Sequence, residues 1–249
     1  MSLSVIIIAK NEQAVIHRCL TSVAWADEIV VVDSNSSDDT AEICRELGAK
    51  VHTFPDWPGF GPQKNRALGL ANGDWILSLD ADEEVSTALR ADIEAAIAHP
   101  GEHVAFRMPR LSSYCGRSMR HSGWWPDYIT RLFKHGKARF SDDVVHERLV
   151  VDGALGTLSQ PLLHEAFTSA EEVLEKINRY STASADILHR KGKTSSLTNA
   201  LLHGLWAFLR TYILRAGFLD GREGFMLAVS NAEGTYYRYV KLMLLAGKK

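Results

Sequence analysis

The sequence predicts an α/β fold, with a Rossmann-like, mostly parallel central sheet flanked by helices and followed by a C-terminal helical extension. Short β-branched runs alternate with helical patterns over the first hundred residues, which is typical of parallel sheets covered by helices. Strand-like segments without long helices follow from His103 to about Leu163, and helical spacing begins at Ser169. We therefore expect one domain over residues 1–168 and a basic, amphipathic helical extension over residues 169–249 that contacts a membrane or a subunit.

The elements of the first hundred residues are predicted from apolar runs and their spacing. Strands are predicted at residues 4–9, 28–32, 51–54 and 75–79, and the first two are apolar runs typical of buried strands. Helices are predicted from helical spacing near residues 15–23, 37–48, 63–71 and 86–98. Ser37 is the predicted N-cap of the second helix, and Asp38 and Asp39 suit its positive N-terminal end.

Composition and charge narrow the class of protein. The 249 residues are 46% hydrophobic and 23% charged, as in folded proteins, and the net charge of -2 gives no reason to expect nucleic acid as a partner. Three widely spaced cysteines, Cys19, Cys44 and Cys115, form no metal-binding pattern and fit a reducing compartment. Because no leader pattern and no uncharged apolar stretch of about 18 residues occurs, we expect a cytoplasmic protein without a membrane span.

Two aspartates follow the fourth predicted strand. In extended chain, residues two apart point the same way, so the carboxylates of Asp80 and Asp82 converge past the strand's carboxyl end, where open α/β sheets bind ligands. Paired carboxylates suit Mg²⁺ or Mn²⁺ held partly by substrate phosphates. The alternative is a solvated acidic turn that opens the next helix.

Two further polar residues occupy comparable places. Asp33 ends the second predicted strand, where its carboxylate could accept hydrogen bonds from a nucleobase or a ribose, or could cap its own turn. Lys64 or Arg66, near the start of the third helix, could bind a diphosphate with help from the helix N-terminus. A solvated basic helix face is the alternative for both cations.

Three runs, taken together, resemble family 2 of the glycosyltransferases. They are Ser-Val-Ile-Ile-Ile-Ala-Lys-Asn-Glu at 4–12, Val-Val-Val-Asp-Ser at 30–34 and Ala-Asn-Gly-Asp-Trp-Ile-Leu-Ser-Leu-Asp-Ala-Asp at 71–82, with Lys-Asn between the last two. The resemblance covers about residues 3–165. It implies the GT-A fold, inversion of the anomeric centre, and a donor that is a UDP-sugar.

The resemblance also implies roles for individual residues. Asp33 is expected at the uracil or ribose, and Asp82 at the metal, with Asp80 against the ribose or the metal shell. Lys64 stands where many members carry an arginine that faces the diphosphate. The donor site as a whole is expected to comprise Ala9, Asn11, Glu12, Asp33, Lys64, Asp80 and Ala81.

The catalytic base is less plainly marked. Many members carry it in a Glu-Asp pair, and this sequence has none. The candidates are Glu147, in Val145-His146-Glu147, and Asp143, in Asp142-Asp143. We favour Glu147 because it can end a strand that faces the cleft.

A narrower resemblance concerns the second half of the chain. Arg131-Leu132-Phe133, Val145-His146-Glu147 and the tail that begins at Arg215 are similar to bacterial lipopolysaccharide core glycosyltransferases of the kind that glucosylates the inner-core heptose. This resemblance implies UDP-glucose as donor and an envelope glycolipid as acceptor. We expect Trp124, Trp125 and Arg131 at the acceptor, although ordinary aromatic packing explains the two tryptophans equally well.

The C-terminal region combines positive charge with apolar side chains. Residues 189–249 carry ten Lys/Arg and three Asp/Glu, interleaved with leucines and aromatic residues. That pattern predicts helices lying in the interface of an anionic membrane, on the inner face of the cytoplasmic membrane. The alternative is that these helices pack on the first domain or on a second subunit of a homo-oligomer.

Two rival functions deserve a test against the residues. A nucleotidyltransferase usually places a glycine-rich loop after its first strand, and here no glycine occurs before Gly48. A non-catalytic carbohydrate-binding protein would have no need of Asp33, Asp80 and Asp82 together with an acidic base candidate. Both alternatives are therefore disfavoured.

Overall fold

The computed structural model describes residues 1–141 and 147–247. The chain forms two compact units. The first unit comprises Met1–Arg110 and Asp127–His164, and the second comprises Leu111–Pro126 and Glu165–Lys249.

The core of the first unit is a parallel sheet whose strands follow the predicted runs closely. Its strands are β1 (Leu3–Ala9), β2 (Glu28–Asp33), β3 (Lys50–Thr53) and β4 (Trp75–Asp80), in the order β3-β2-β1-β4. Alternate residues of β1 enter different apolar clusters, since Val5 and Ile7 pack in one cluster and Ile6 in the other. Both faces of the sheet are therefore covered, which explains why its strands are apolar runs without alternation.

Four helices connect and cover these strands. They are α1 (Ile16–Ser22), α2 (Thr40–Glu46), α3 (Phe60–Leu70) and α4 (Thr87–Ala98). Ser86 caps α4 by accepting a hydrogen bond from the backbone N–H of Leu89 at 3.2 Å. The prediction that Ser37 caps α2 is wrong, because α2 begins after Asp39 and has no side-chain cap. The Ser37 backbone N–H donates to the side-chain oxygen of Asn11.

One carboxylate connects the amino ends of these strands. Glu28, at the start of β2, accepts hydrogen bonds from the Ser4 hydroxyl at 2.5 Å, from Lys50 Nζ at 2.7 Å and from Asn72 at 2.8 and 2.9 Å. Burial alone would raise the pKa of the Glu28 carboxyl, but these hydrogen bonds lower it to about 2. The network therefore holds β1, β2 and β3 together at the amino edge of the sheet.

The sheet continues from β4 through antiparallel strands. They lie in the region from His103 to about Leu163, where the sequence predicts strand-like segments without long helices. The strands added to this sheet are β5 (Glu83–Glu84), β6 (His103–Tyr114), β7 (Arg117–Ser118), β8 (Asp127–Lys134), β11 (Ala154–Thr157) and β12 (Leu162–Phe167). The described residues thus place ten strands in it, in the order β3-β2-β1-β4-β8-β6-β12-β5, with β7 and β11 also paired to β6. Two further strands, β9 (Ala138–Phe140) and β10 (Leu149–Val151), pair with each other in a separate two-stranded sheet. The register Leu77↔Leu132 between β4 and β8 brings Arg131 to the carboxyl end of β4.

The second unit is mainly helical. Its helices are α5 (Ala170–Arg190), α6 (Leu197–Leu209) and α7 (Gly221–Ala246), with a π-helical turn over Arg210–Leu214 and a 3-10 turn over Gly217–Asp220. The hydroxyls of Ser169 and Ser196 cap α5 and α6, accepting from backbone N–H groups three residues later. No helix among the described residues is long and apolar enough to cross a membrane.

The segment 111–126 belongs to this second unit, although the sequence analysis placed it within residues 1–168. The Asp220 carboxylate, which is buried, accepts hydrogen bonds from the backbone N–H groups of Arg120 and His121 and from the Ser122 hydroxyl. These contacts join residues far apart in sequence, which is why periodicity along the chain does not reveal them.

Candidate active site

The carboxyl ends of the central strands meet as the sequence predicted. Ala9 pairs with Asp33 across β1 and β2, and Ile8 pairs with Asp80 across β1 and β4. The ends of three neighbouring strands thus bring Ala9, Asp33 and Asp80 to one edge of the sheet. In open α/β sheets this edge is where ligands bind.

The loops after β1 and β2 are tied to each other by hydrogen bonds. Asn11, whose φ of 57° lies in the left-handed region, donates its backbone N–H to the Ser36 hydroxyl at 2.9 Å. Its side-chain oxygen accepts from the Ser37 backbone N–H at 2.8 Å, and the Glu12 backbone N–H donates to the Thr40 hydroxyl at 2.8 Å. Asn11 and Glu12, both expected at the nucleotide-sugar donor, are therefore held in place by the loop after β2.

Asp33 is buried at the base of these loops. Its carboxylate accepts from the Ser36 hydroxyl at 2.5 Å and from the Ser36 backbone N–H at 3.2 Å. These bonds correspond to the turn-cap alternative, yet an ionised carboxylate offers about four lone-pair sites. Capacity to accept from a base or a ribose therefore remains. Beside it, Gln63 donates to the Ser34 hydroxyl at 2.9 Å, which fixes α3 against the same loop.

Asp80 lies between two cations. Its Oδ1 atom is 2.9 Å from Lys64 Nζ, and its Oδ2 atom accepts a hydrogen bond from the Arg131 guanidinium. Burial alone would raise the pKa of the Asp80 carboxyl, but the charges of Arg131 and Lys64 hold it well below its usual range. Asp80 is therefore ionised, and both of its oxygens already have cationic partners.

Glu83 completes this cluster and was not among the predicted site residues. It is buried, accepts from Arg131 at 2.6 Å, and accepts from the Asp80 backbone N–H at 3.0 Å. Burial raises the pKa of the Glu83 carboxyl, and the neighbouring Asp80 charge adds to that rise although Arg131 opposes it. Arg131, expected at the acceptor, is buried in the structure and binds these two carboxylates.

Lys64 is buried and bridges two carboxylates, so a solvated basic helix face does not describe it. Besides Asp80 it contacts Glu147, whose Oε1 atom lies 2.9 Å from Lys64 Nζ. Gly61 permits this approach, because a Cβ atom at that position would lie 1.9 Å from the Ser141 carbonyl oxygen. Arg66, the other cation of α3, instead pairs with Asp56 at 2.5 Å.

The structure thus joins the favoured base candidate to the carboxyl edge of the sheet. The second candidate, Asp143, lies outside the described residues, as do Asp142 and His146 of the same motifs. Ala81, predicted at the donor, is buried between Asp80 and Asp82.

Asp82 has a different neighbour. Its Oδ2 atom lies 3.4 Å from the Nε2 atom of His164, a residue of β12 that pairs with Glu83 across the sheet. No group of three or more metal-ligating side chains occurs among residues 1–141 and 147–247. A carboxylate and an imidazole could still hold Mg²⁺ or Mn²⁺, because these ions keep several water ligands and take the rest from substrate phosphates.

The two predicted acceptor tryptophans lie in the second unit. Trp124 is partly buried, stacks on Phe167 with ring centroids 6.1 Å apart, and meets Tyr114 edge-on at 6.0 Å. Trp125 has the Arg120 guanidinium 5.3 Å from its ring centroid. Aromatic packing accounts for the position of Trp124, and a role at the acceptor stays a prediction for both.

Comparison with known proteins gives the family. The sequence matches the family model described as Glycosyl transferase family 2 over residues 4–155. An uncharacterized glycosyltransferase of Rickettsia typhi is 33% identical over 99% of this chain and 88% of its own length. The lipopolysaccharide core biosynthesis glycosyltransferase LpsC of Rhizobium meliloti is 30% identical over 97% of this chain and 92% of its own length.

A solved structure shows the same fold. The structure of S. aureus TarS in complex with UDP-GlcNAc superposes with a TM-score of 0.51, covering 99% of this chain and 92% of that one at 17% identity. Together with the family match, the mixed sheet and the C-terminal helices agree with the predicted α/β architecture. The chain therefore belongs to glycosyltransferase family 2 and is a glycosyltransferase with the GT-A fold.

Proposed function

We propose that this enzyme transfers glucose from UDP-glucose to a hydroxyl of a lipopolysaccharide inner-core sugar or a related envelope glycolipid, with inversion at the anomeric carbon. The observation that carries the proposal is the cluster at the carboxyl edge, where Asp80 and Glu147 contact the buried Lys64 and Asp33 ends the strand on the other side of β1. The similarity over most of the chain to LpsC, named for lipopolysaccharide core biosynthesis, supports the class of acceptor.

The donor is proposed to bind along the ends of β1, β2 and β4. Asp33 would accept hydrogen bonds from the uracil or ribose, and Ala9, Asn11 and Glu12 would line the same side. Because Asp80 is neutralised by Lys64 and Arg131, it would not repel the donor diphosphate as an isolated carboxylate would.

A divalent cation fits the residues on the other side of Asp80. Asp82 and His164 would hold Mg²⁺ or Mn²⁺ together with the donor phosphates and water. When bound, the ion would neutralise the charge that develops on the departing nucleoside diphosphate. Asp80 is less suited as a direct ligand, since Lys64 and Arg131 occupy its two oxygens.

Glu147 is the proposed base. An inverting displacement needs a proton acceptor on the acceptor side of the sugar, opposite the leaving group. The Glu147 carboxylate is half-buried, and Lys64 holds it in the same network as Asp80. In this proposal that contact would hold the carboxylate in a fixed orientation for general base catalysis.

The second unit is proposed to rest on an anionic membrane surface. Four exposed apolar residues on successive turns of α6 share one face of the helix: Leu201, Leu202, Leu205 and Trp206. Further exposed apolar side chains follow at Leu214, Phe218, Leu219 and Phe225. Arg210, Arg215 and Arg222 are interspersed among them, so charge complementarity favours an anionic lipid surface over a neutral protein partner.

Transfer assays test the proposal directly. Purified enzyme is incubated with UDP-glucose, UDP-galactose or UDP-GlcNAc, with Mg²⁺ or Mn²⁺, and with lipopolysaccharide truncated at the inner core. We expect glucose transfer to the truncated acceptor, with loss of turnover in Glu147→Gln and unchanged UDP affinity. Glu102→Gln, which removes an exposed carboxylate, is the matched control.

Two outcomes would contradict the assignments. Preference for another donor sugar would remove the choice of glucose without affecting the fold or the family. If Asp143→Asn abolishes turnover and Glu147→Gln does not, Asp143 is the base.

A further inference from the structure

The second unit contains a cavity of about 250 Å³ that the proposed mechanism does not use. Residues from α5, from α7 and from segment 111–126 line it. The cavity is partly open to solvent and is large enough to admit a single saccharide ring.

One wall of the cavity is aromatic. Tyr114, Trp124 and Phe167 contact one another, with ring centroids 5.6 to 6.1 Å apart, and all three line the cavity. Such rings offer flat apolar faces at little cost in conformational freedom, and the C–H face of a sugar ring packs well on them. Hydroxyls of Ser184 and Thr235 line the same space and can bond to ring hydroxyls.

The charges in the lining have one sign. Of the described residues that line the cavity, none is Asp or Glu, while Lys176 and Arg238 both contribute. Lys176 already has partners, because its Nζ atom lies 2.9 Å from Glu172 and donates to the Ala166 carbonyl oxygen at 2.9 Å. Arg238 is therefore the cation that remains for a ligand.

Arg238 lacks a partner in the part of the chain that the structure describes. Its Nε atom is buried without a hydrogen bond, and its guanidinium rests on the Tyr239 ring at 4.8 Å. No carboxylate of the described residues pairs with Arg238, so the positive charge of its guanidinium is available to an anion. The terminal NH₂ groups of a planar guanidinium match the two oxygens of a carboxylate or phosphate. A ligand that pairs with Arg238 is therefore expected to be anionic.

We propose that this cavity binds an acidic saccharide unit, one whose ring carries a carboxylate or a phosphate. The ring lies against Trp124, and the anionic group pairs with Arg238. The assignment of this saccharide to the glycolipid acceptor rests on the proposed function. Binding of the isolated saccharide does not depend on the proposed function.

Ligand-observed NMR on the full chain tests the proposal, with methyl glucuronide, methyl glucoside, inorganic phosphate and acetate as probes. We expect methyl glucuronide to bind at least about tenfold more tightly than methyl glucoside, and Arg238→Gln to remove that difference. Arg190→Gln, which removes an exposed charge near the end of α5, should leave both affinities unchanged. Ser184→Trp, which fills the cavity, should abolish glucuronide binding.

Three results would overturn the proposal. They are equal binding of the two glycosides, an undiminished glucuronide affinity in Arg238→Gln, and phosphate or acetate binding as tightly as the glucuronide. Hydrolysis of UDP-glucose without acceptor is measured on the same variants and should not change. Absence of that hydrolysis in the wild-type protein would count against the proposed function and not against the saccharide site. The experiment therefore distinguishes failure of this proposal from failure of the proposed function.

Discussion

Replacing Lys64 by methionine should destabilise the first unit more than any other single loss of a lysine charge discussed above. The Lys64 side chain is 5% exposed and lies 2.9 Å from both Asp80 and Glu147. Removing one partner of a buried ion pair costs about 3–5 kcal/mol, since the other charge is left uncompensated. Because the Asp80 and Glu147 carboxylates left behind are 35% and 19% exposed, and because Asp80 keeps Arg131, we expect less than this range, about 2 kcal/mol.

Lys50→Met is the matched control. Lys50 Nζ lies closer to its partner Glu28, at 2.7 Å, but its side chain is 63% exposed. The Glu28 side chain is only 9% exposed, yet it keeps its hydrogen bonds from Ser4 and Asn72 when Lys50 is removed. Because the lysine charge is solvated and the carboxylate stays hydrogen-bonded, this substitution should cost at most about 1 kcal/mol despite the shorter distance. The difference in the free energy of unfolding lost in the two variants would then be due to burial of the lysine and not to the distance from its partner.

The partner of Lys64 supplies a second arm. Glu147→Gln should lower the free energy of unfolding in the wild type and raise it in Lys64→Met, because there it removes a carboxylate without a cation. Hydrogen exchange of peptides from β1 and β4 reports the first unit by itself. Equal losses for Lys64→Met and Lys50→Met, or additive effects of Lys64→Met and Glu147→Gln, would refute this reasoning.

Three further predictions concern other parts of the chain. Asp82→Asn should abolish most turnover and the stabilisation of the protein by Mn²⁺ with UDP, whereas the exposed Asp152→Asn should not; full activity in excess chelator would contradict it. Glu28→Gln should cost about 1–3 kcal/mol at pH 7, measured by urea unfolding. Because folding lowers the Glu28 pKa from 4.5 to about 2, this difference should be present above pH 4.5 and vanish as the pH falls to 2. Leu202→Ser with Trp206→Ser should weaken co-sedimentation with anionic vesicles. A wild-type dimer that ignores vesicles and dissociates in this variant would support a subunit interface instead.

The parallel half of the fold could be predicted because its signals are local. The three strands β1, β2 and β4 contain continuous apolar runs, and β2 and β4 end at the polar residues Asp33 and Asp80. Parallel topology then requires these ends to share one edge. The prediction of a cap at Ser37 failed because α2 begins only at Thr40, whose backbone N–H donates to Asp38, while the Ser37 hydroxyl donates to Asn11 in another loop.

Glu83 could not be recognised in the same way. In sequence it stands among acidic residues before a helix, where carboxylates are ordinarily solvated. Its burial comes from pairing between β5 and β12, which joins it to His164. A signal did exist in Arg131, since a charged residue within the apolar run of β8 needs a buried counter-charge.

The ion pairs of the active site also determine when during synthesis the site can form. Asp80 and Glu83 lie 51 and 48 residues before Arg131, and Lys64 lies 83 residues before Glu147. The ribosome therefore releases all four parallel strands while their carboxylates still lack Arg131. Contacts this distant close slowly, because the loop entropy must be overcome first. A nascent chain that stops before β8 thus exposes an acidic edge that chaperones, metal ions or polyamines can reach, and only the longer chain neutralises it.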